Sequence, residues 1–533
     1  MKKNWLILIH VSLWMLLSLN VFSQSSVYNI VDFGAKADST TVNTSAINKA
    51  IEKCNKDGGG SVIIPAGHFV SGTVMLLSNV ELYLSPGATL MGSKDTSDYL
   101  LNNDVLMPGE GYNRYGLIYA NNAHNVSIAG KGTIDGRGNY FMYNPYQYKY
   151  KGGDFDSKFT RQGAEYMKPG TVIEDGPVTY PFRPGLLVTI TNCNDVSLTD
   201  VTLKDSPQWT VRIGFCDGVK VRGITINNNP LVPNNDGIHC TVSRNITISD
   251  CNIIAGDDAI IVSGFGTDVH TGDDLQYGNK TGVAENVVVT NCVLSSRSAC
   301  IRVGYGERPV RNVVFSNLVM YASNRGIGIF AREESTIDHI IFSNIIINNR
   351  LHSGHWWGKG EPIHISAVKS KAGGKAGTIN DIQFYGINAV SETGIVIQGS
   401  PESIITNIGF DHVKLQINRG KYTDTYGGNL DFRPAYPLSA ALFKHDIPGV
   451  YVQYADQLKF NDFNLSWGDD LPAYFTYGLW ADHYKNLSLQ NSFLSPAPVN
   501  KMLSAVKLSN GTKPVIFNCS TATGIQLLQN TLK

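Results

Sequence analysis

Asn286-Val287-Val288-Val289, Asn312-Val313-Val314-Phe315 and His339-Ile340-Ile341-Phe342 are three copies of one short phrase, a polar residue followed by alternating apolar side chains. The phrase also stands at Asn125-Val126-Ser127-Ile128, Asp195-Val196-Ser197-Leu198, Gly218-Val219-Lys220-Val221, Asn245-Ile246-Thr247-Ile248, Asp381-Ile382-Gln383-Phe384 and Asn407-Ile408-Gly409-Phe410. From Val196 onward its second residue recurs at steps of 23, 27, 41, 26, 27, 42 and 26, so two steps exceed the rest by a loop's length. Period-two alternation over so few residues marks strands too short to bury a core alone. Stacked so that each pairs with the copy above, they give a β-solenoid with a continuous apolar interior. A many-stranded β-sandwich is the competing architecture, but sandwiches do not repeat one phrase at this spacing.

Gln457-Leu458-Lys459-Phe460 and Asn486-Leu487-Ser488-Leu489 echo the phrase and carry the coil toward the C-terminus. Longer excursions fall near 138–182, 264–283, 351–360 and 418–450, and such insertions commonly wall a solenoid's binding face. Before the coils, Ala46, Ile47, Ala50, Ile51 and Cys54 recur at helical spacing between Thr44 and Asp57 and stop at Gly58-Gly59-Gly60. A helix there would cap the open end of the solenoid. The expected fold is all-β, a single catalytic domain over 24–533 with an N-terminal capping helix.

Composition narrows the function. With 42% hydrophobic residues the chain is not disordered, and 44 Lys+Arg against 44 Asp+Glu leave no footprint for nucleic acid. Eight Cys are too sparse for a disulfide scaffold, and without a Cys-x-x-Cys pair they suggest no zinc or redox site. Lys2 and Lys3 precede an apolar run from Trp5 to Leu19, and Val21-Phe22-Ser23 offers a cleavage site before Gln24. The run is short for a bilayer span. A cleaved export signal over 1–23 is therefore expected, giving a periplasmic or secreted protein with no membrane span.

Aligning consecutive coils puts residues in columns. Asn235-Asp236-Gly237-Ile238-His239-Cys240 is followed by Asp257-Asp258-Ala259-Ile260-Ile261-Val262, Ser298-Ala299-Cys300-Ile301-Arg302-Val303, Asn324-Arg325-Gly326-Ile327-Gly328-Ile329 and Gly360-Glu361-Pro362-Ile363-His364-Ile365. The Ile238, Ile260, Ile301, Ile327, Ile363 column is uniformly apolar and must face inward. Asp236 and Asp258 then sit on adjacent rungs, about 4.8 Å apart, with Asp257 beside them. Three carboxylates this close repel one another, a cost that function, a cation or a shared proton must balance. A solenoid turn also tolerates a structural Asp, but a triplet bordered by Arg and His points to chemistry. Glycoside hydrolysis by inversion fits, one carboxyl protonating the leaving oxygen while others activate a water; a calcium site fits as well.

These residues resemble glycoside hydrolase family 28, the polygalacturonase and rhamnogalacturonase family of right-handed, single-stranded parallel β-helices of the pectin-lyase-like kind. The likeness begins at Tyr28-Asn29-Ile30-Val31-Asp32-Phe33-Gly34-Ala35, passes through Gly58-Gly59-Gly60-Ser61-Val62, Pro65-Ala66-Gly67, Gly130-Lys131-Gly132-Thr133-Ile134-Asp135-Gly136 and Ser206-Pro207-Gln208-Trp209, and covers most of the mature chain. The family's Asn-Thr-Asp-Gly motif is matched by Asn234-Asn235-Asp236-Gly237 after Pro233, and its paired aspartates by Gly256-Asp257-Asp258. The resemblance implies Asp257 as general acid, with Asp236 and Asp258 positioning and deprotonating the water. Two motifs depart. The family's Gly-His-Gly falls on Ser298-Ala299-Cys300, closer to the rhamnogalacturonase branch, and its carboxylate-gripping Arg-Ile-Lys falls on Gly328-Ile329-Phe330.

The columns suggest a compensation. Arg302 lies one rung from Gly328, which has no side chain to obstruct it, and Arg325 lies one rung from Ala299. Arg302 is expected to grip a uronate carboxylate and Arg325 to fill the space of the absent histidine. A purely structural arrangement would instead pair Arg325 with Glu361 and Arg302 with a loop acid. Asn234, His239 and His364 are candidate substrate contacts, and Trp356 and Trp357 are placed to stack on sugar rings. The expectation is an exported hydrolase of galacturonic-acid-containing pectic polymer or oligosaccharide, monomeric and without a cofactor or metal; the bulky excursions favour exo attack. A calcium-dependent pectate lyase using Arg302 as base, and a non-catalytic carbohydrate-binding β-helix, share the same residues.

Overall fold

A computed structural model describes residues 26–101, 115–142, 183–265, 282–352, 357–432, 442–444 and 446–531. The expected signal at 1–23, Trp356 and much of each excursion lie outside the described residues.

The repeat phrase is explained by backbone geometry. Its first residue holds a left-handed conformation in copy after copy, with φ between 51° and 57° at Asn125, Asp195, Asn245, Asn286, Asn312, His339, Asp381, Asn407, Gln457 and Asn486. Asn and Asp tolerate that region better than most side chains, which is why the phrase so often opens on them. Their side chains also bond from coil to coil. The Asn245 amide donates to Asp217 at 2.6 Å, Asn286 to Asn245 at 3.0 Å and Asn312 to Asn286 at 3.3 Å.

Each coil of the middle region has three strands, for example Ile238–Thr241, Arg244–Ser249 and Asn252–Ala255. Each pairs in parallel with the equivalent strand of the next coil. The expected column holds residue for residue: Ile238 pairs with Ile260, Ile260 with Ile301, Ile301 with Ile327 and Ile327 with Ile363. All five are fully buried. The fourth position of the phrase builds a ladder of stacked rings, Phe315, Phe342, Phe384, Phe410 and Phe460, with centroids 4.8–5.1 Å apart. Such pairs add about 0.5–1.5 kcal/mol each beyond the area they bury.

The architecture is a right-handed parallel β-helix, the hand that parallel crossovers take. The helix Thr44–Lys56 packs Ala46, Ile47, Ala50, Ile51 and Cys54 against its N-terminal end. No helix among the described residues is long and apolar enough to cross a membrane.

Candidate active site

The turns leading into the strands Ile238–Thr241 and Ile260–Gly264 carry the three aspartates. Asn235, fully buried, joins the turns: its Oδ1 accepts from the Gly256 amide at 2.6 Å and its Nδ2 donates to the Asn229 carbonyl at 2.9 Å. Gly256 must lack a side chain, because a Cβ there would lie 2.4 Å from that Oδ1. The Gly237 amide then donates to the Asp258 carbonyl at 2.9 Å, which puts the Asp236 turn directly beside the Asp257-Asp258 pair.

The three carboxyls sit in different surroundings. Asp257 is half-buried, and its Oδ1 accepts from the Asp258 amide at 3.0 Å. Asp258 is buried; Oδ1 accepts from the Ala299 amide at 3.0 Å and Oδ2 from Nε of Arg302. Asp236 is buried, and its Oδ1 has no hydrogen-bond partner. Burial first, then the charges of Asp257 and Asp258, push its pKa well above the usual carboxylate range, against a smaller opposing pull from Arg302. His239 stands 3.9 Å from Asp236 Oδ2, bonds Ser263 Oγ through Nε2 at 3.0 Å and packs on the Trp209 ring at 3.9 Å. Burial first, then the charges of Arg302 and Arg212, drive its pKa well below the usual imidazole value.

A second buried group lies one to two rungs on. Nε of Arg325 meets Glu361 Oε1 at 2.5 Å, and Nη2 stands 3.9 Å from Asp431 Oδ2. Asp431 also accepts from the Gly358 amide at 2.8 Å, tying the 418–450 excursion to the 351–360 one. His364 lies 3.5 Å from Glu361, edge-on to Phe330.

The structure thus brings Asp236, Asp257, Asp258, Arg302 and His239 together and sets Arg325 and His364 apart with Glu361 and Asp431. Both arginines meet a protein carboxylate first, the structural pairing for Arg325 and an ion pair with an aspartate of the triplet for Arg302. The open space expected at Gly328 is absent: a Cβ there would lie 2.4 Å from Cε2 of Phe330, whose ring fills it. Asn234, left-handed at φ 59°, accepts from Arg183 at 3.2 Å on the rim. Trp357 is half-buried, with its carbonyl taken by Asn324 at 2.9 Å.

From sequence, Asn235 is quoted within its motif but given no role, and Arg183 and Asp431 are not singled out at all. Asn235 was legible as the polar residue between Asn234 and Asp236. No local signal marks Arg183 or Asp431, which arrive from excursions.

Residues 182–425 match the family described as "Glycosyl hydrolases family 28", and residues 27–148 match "Rhamnogalacturonase A/epimerase, pectate lyase-like". Over 311 residues the chain is 29% identical to a probable polygalacturonase of Vitis vinifera, covering 56% of each. It is 27% identical to an exo-poly-alpha-D-galacturonosidase of Dickeya chrysanthemi, covering 56% of this chain and 58% of that one. The match therefore spans a little over half the length of these relatives. The crystal structure of a hyperthermoactive exopolygalacturonase from Thermotoga maritima superposes with a TM-score of 0.59 at 24% identity, over 74% of this chain and 87% of that one, a likeness of fold. The segment that holds all three aspartates is thus the one that matches glycosyl hydrolases family 28.

Proposed function

We propose that the chain is an exported, inverting glycoside hydrolase that cleaves α-linked, galacturonic-acid-containing pectic poly- or oligosaccharide from chain ends. The observation that carries this reading is the three-aspartate cluster, inside the family-matched segment, with each carboxyl in a different electrostatic setting. Asp257 is the most exposed of the three and serves as general acid. Asp258, oriented by Arg302 and the Ala299 amide, and Asp236 hold and deprotonate the attacking water on the other face of the sugar. The acid step requires a proton on Asp257.

The names of the relatives support a galacturonide substrate, and one of them is named for exo attack. The contact of Asp431 with Gly358 supports a cleft walled by the excursions. The lyase alternative is disfavoured because Arg302, the base it requires, is ion-paired with Asp258. Digestion of polygalacturonan, rhamnogalacturonan and their oligomers, followed by chromatography over time, tests the proposal. Steady release of short saturated products from the outset agrees with it; unsaturated products, or no cleavage of any of these, contradict it.

A further inference from the structure

Arg302 and Arg325 are buried and committed to Asp258 and Glu361. A buried ion pair is costly to break, because its abandoned partner stays desolvated. Neither arginine is therefore well suited to receive a uronate carboxylate as its main partner.

Arg332, two residues beyond Phe330, is in a different position. Its side chain is 27% exposed, and Nε stands 2.7 Å from Glu333 Oε1. Glu333 is itself held by the Gly306 amide at 3.1 Å and the Ser370 hydroxyl at 3.4 Å. An ion-pair approach at Nε leaves the edge of the two terminal nitrogens, which can meet a carboxylate end-on. A partly exposed pair exchanges partners at little cost.

Tyr305 connects this cation to the aspartates. The Arg332 guanidinium lies 4.5 Å from the Tyr305 ring centroid and the Arg302 guanidinium 4.3 Å from it. One phenol ring thus carries the arginine that reaches Asp258 and the arginine that reaches solvent. The backbone holds this ring at a price in conformation: Gly304, Tyr305 and Gly306 are all left-handed, with φ of 101°, 63° and 85°. Glycine suits such a run and tyrosine does not, so Tyr305 holds its place at a conformational cost.

We propose that Arg332, oriented by Tyr305 and Glu333, binds the carboxylate of a uronic-acid unit beside the three aspartates and sets the preference for acidic over neutral or esterified sugar. This rests on the pectic reading above. The test compares Arg332→Gln and Arg332→Lys with the parent on oligogalacturonides and on their methyl esters. Arg332→Gln should lower kcat/KM on the acid at least tenfold, chiefly through KM, with little change on the ester, and Arg332→Lys should recover part of the loss. Unchanged kinetics on the acid, or an equal fall on acid and ester, would overturn the proposal. Calorimetric titration of parent and variant with trigalacturonate reads the contact without turnover. A tenfold loss of affinity supports it even where no cleavage occurs, and equal affinities overturn it even where the hydrolase reading stands.

Discussion

Arg302 donates from Nε to Oδ2 of Asp258 on the neighbouring rung, and the Ala299 amide holds the other oxygen of the same carboxylate at 3.0 Å. The aspartate is thereby fixed on both sides, by a charge from one residue and a backbone N–H from the other. In the mechanism proposed above, Arg302 acts through Asp258, as a positioning residue.

Replacing Arg302 by Met should therefore lower kcat more than it raises KM. It also leaves Asp258 buried without its partner, a loss of about 3–5 kcal/mol. Arg302→Lys keeps the charge but loses the guanidinium's geometry and should be intermediate. Steady-state kinetics beside thermal unfolding separate the two effects; a change confined to KM would return Arg302 to a substrate-binding role.

Asp236→Asn should abolish hydrolysis while making the protein more stable at pH 7. The native pKa of Asp236 is raised, so the unfolded chain releases this proton at lower pH than the native one. Stability contributed by the protonated form is complete below the ordinary carboxyl pKa of about 4 and is lost as pH rises toward the raised native value. Asn removes that loss, so the gain in Tm over the parent should be present at pH 7 and vanish near pH 3. A gain that is the same at both pH values would contradict the assignment.

Glu361→Gln should destabilise the fold by about 3–5 kcal/mol, because it uncovers the buried Arg325 guanidinium. The double variant Arg325→Met with Glu361→Gln should be less destabilised than the two single losses predict together. A double-mutant cycle by urea unfolding checks this, and strict additivity would dissolve the pair.

Phe342→Ala removes the second ring of the interior ladder, between Phe315 and Phe384. It should cost about 3–5 kcal/mol of stability and leave KM unchanged. Unfolding and kinetics on the same sample read both.

The repeat, the inward isoleucine column and the aspartate triplet were legible because the spacing of a solenoid is a spatial rule: one coil of sequence is one rung of distance. Period-two alternation told inside from outside for Ile238 through Ile363. What spacing does not encode is where a long side chain reaches once it leaves its column. Arg302 turned to Asp258 and Arg325 to Glu361, choices made by charge and desolvation across rungs. The room supposed at Gly328 was taken by Phe330, two positions further along the same strand. Asp431 meets Arg325 only because an excursion folds back, and no periodicity foretells that.

The central claim is hydrolysis with inversion by the Asp236, Asp257 and Asp258 cluster. Proton NMR of the new reducing end, recorded in the first minutes of oligogalacturonide digestion, tests it most directly. The account predicts that the β-anomer appears first and mutarotates later, and that Asp257→Asn yields no signal. The α-anomer appearing first, an unsaturated product, or full activity of Asp257→Asn would contradict it.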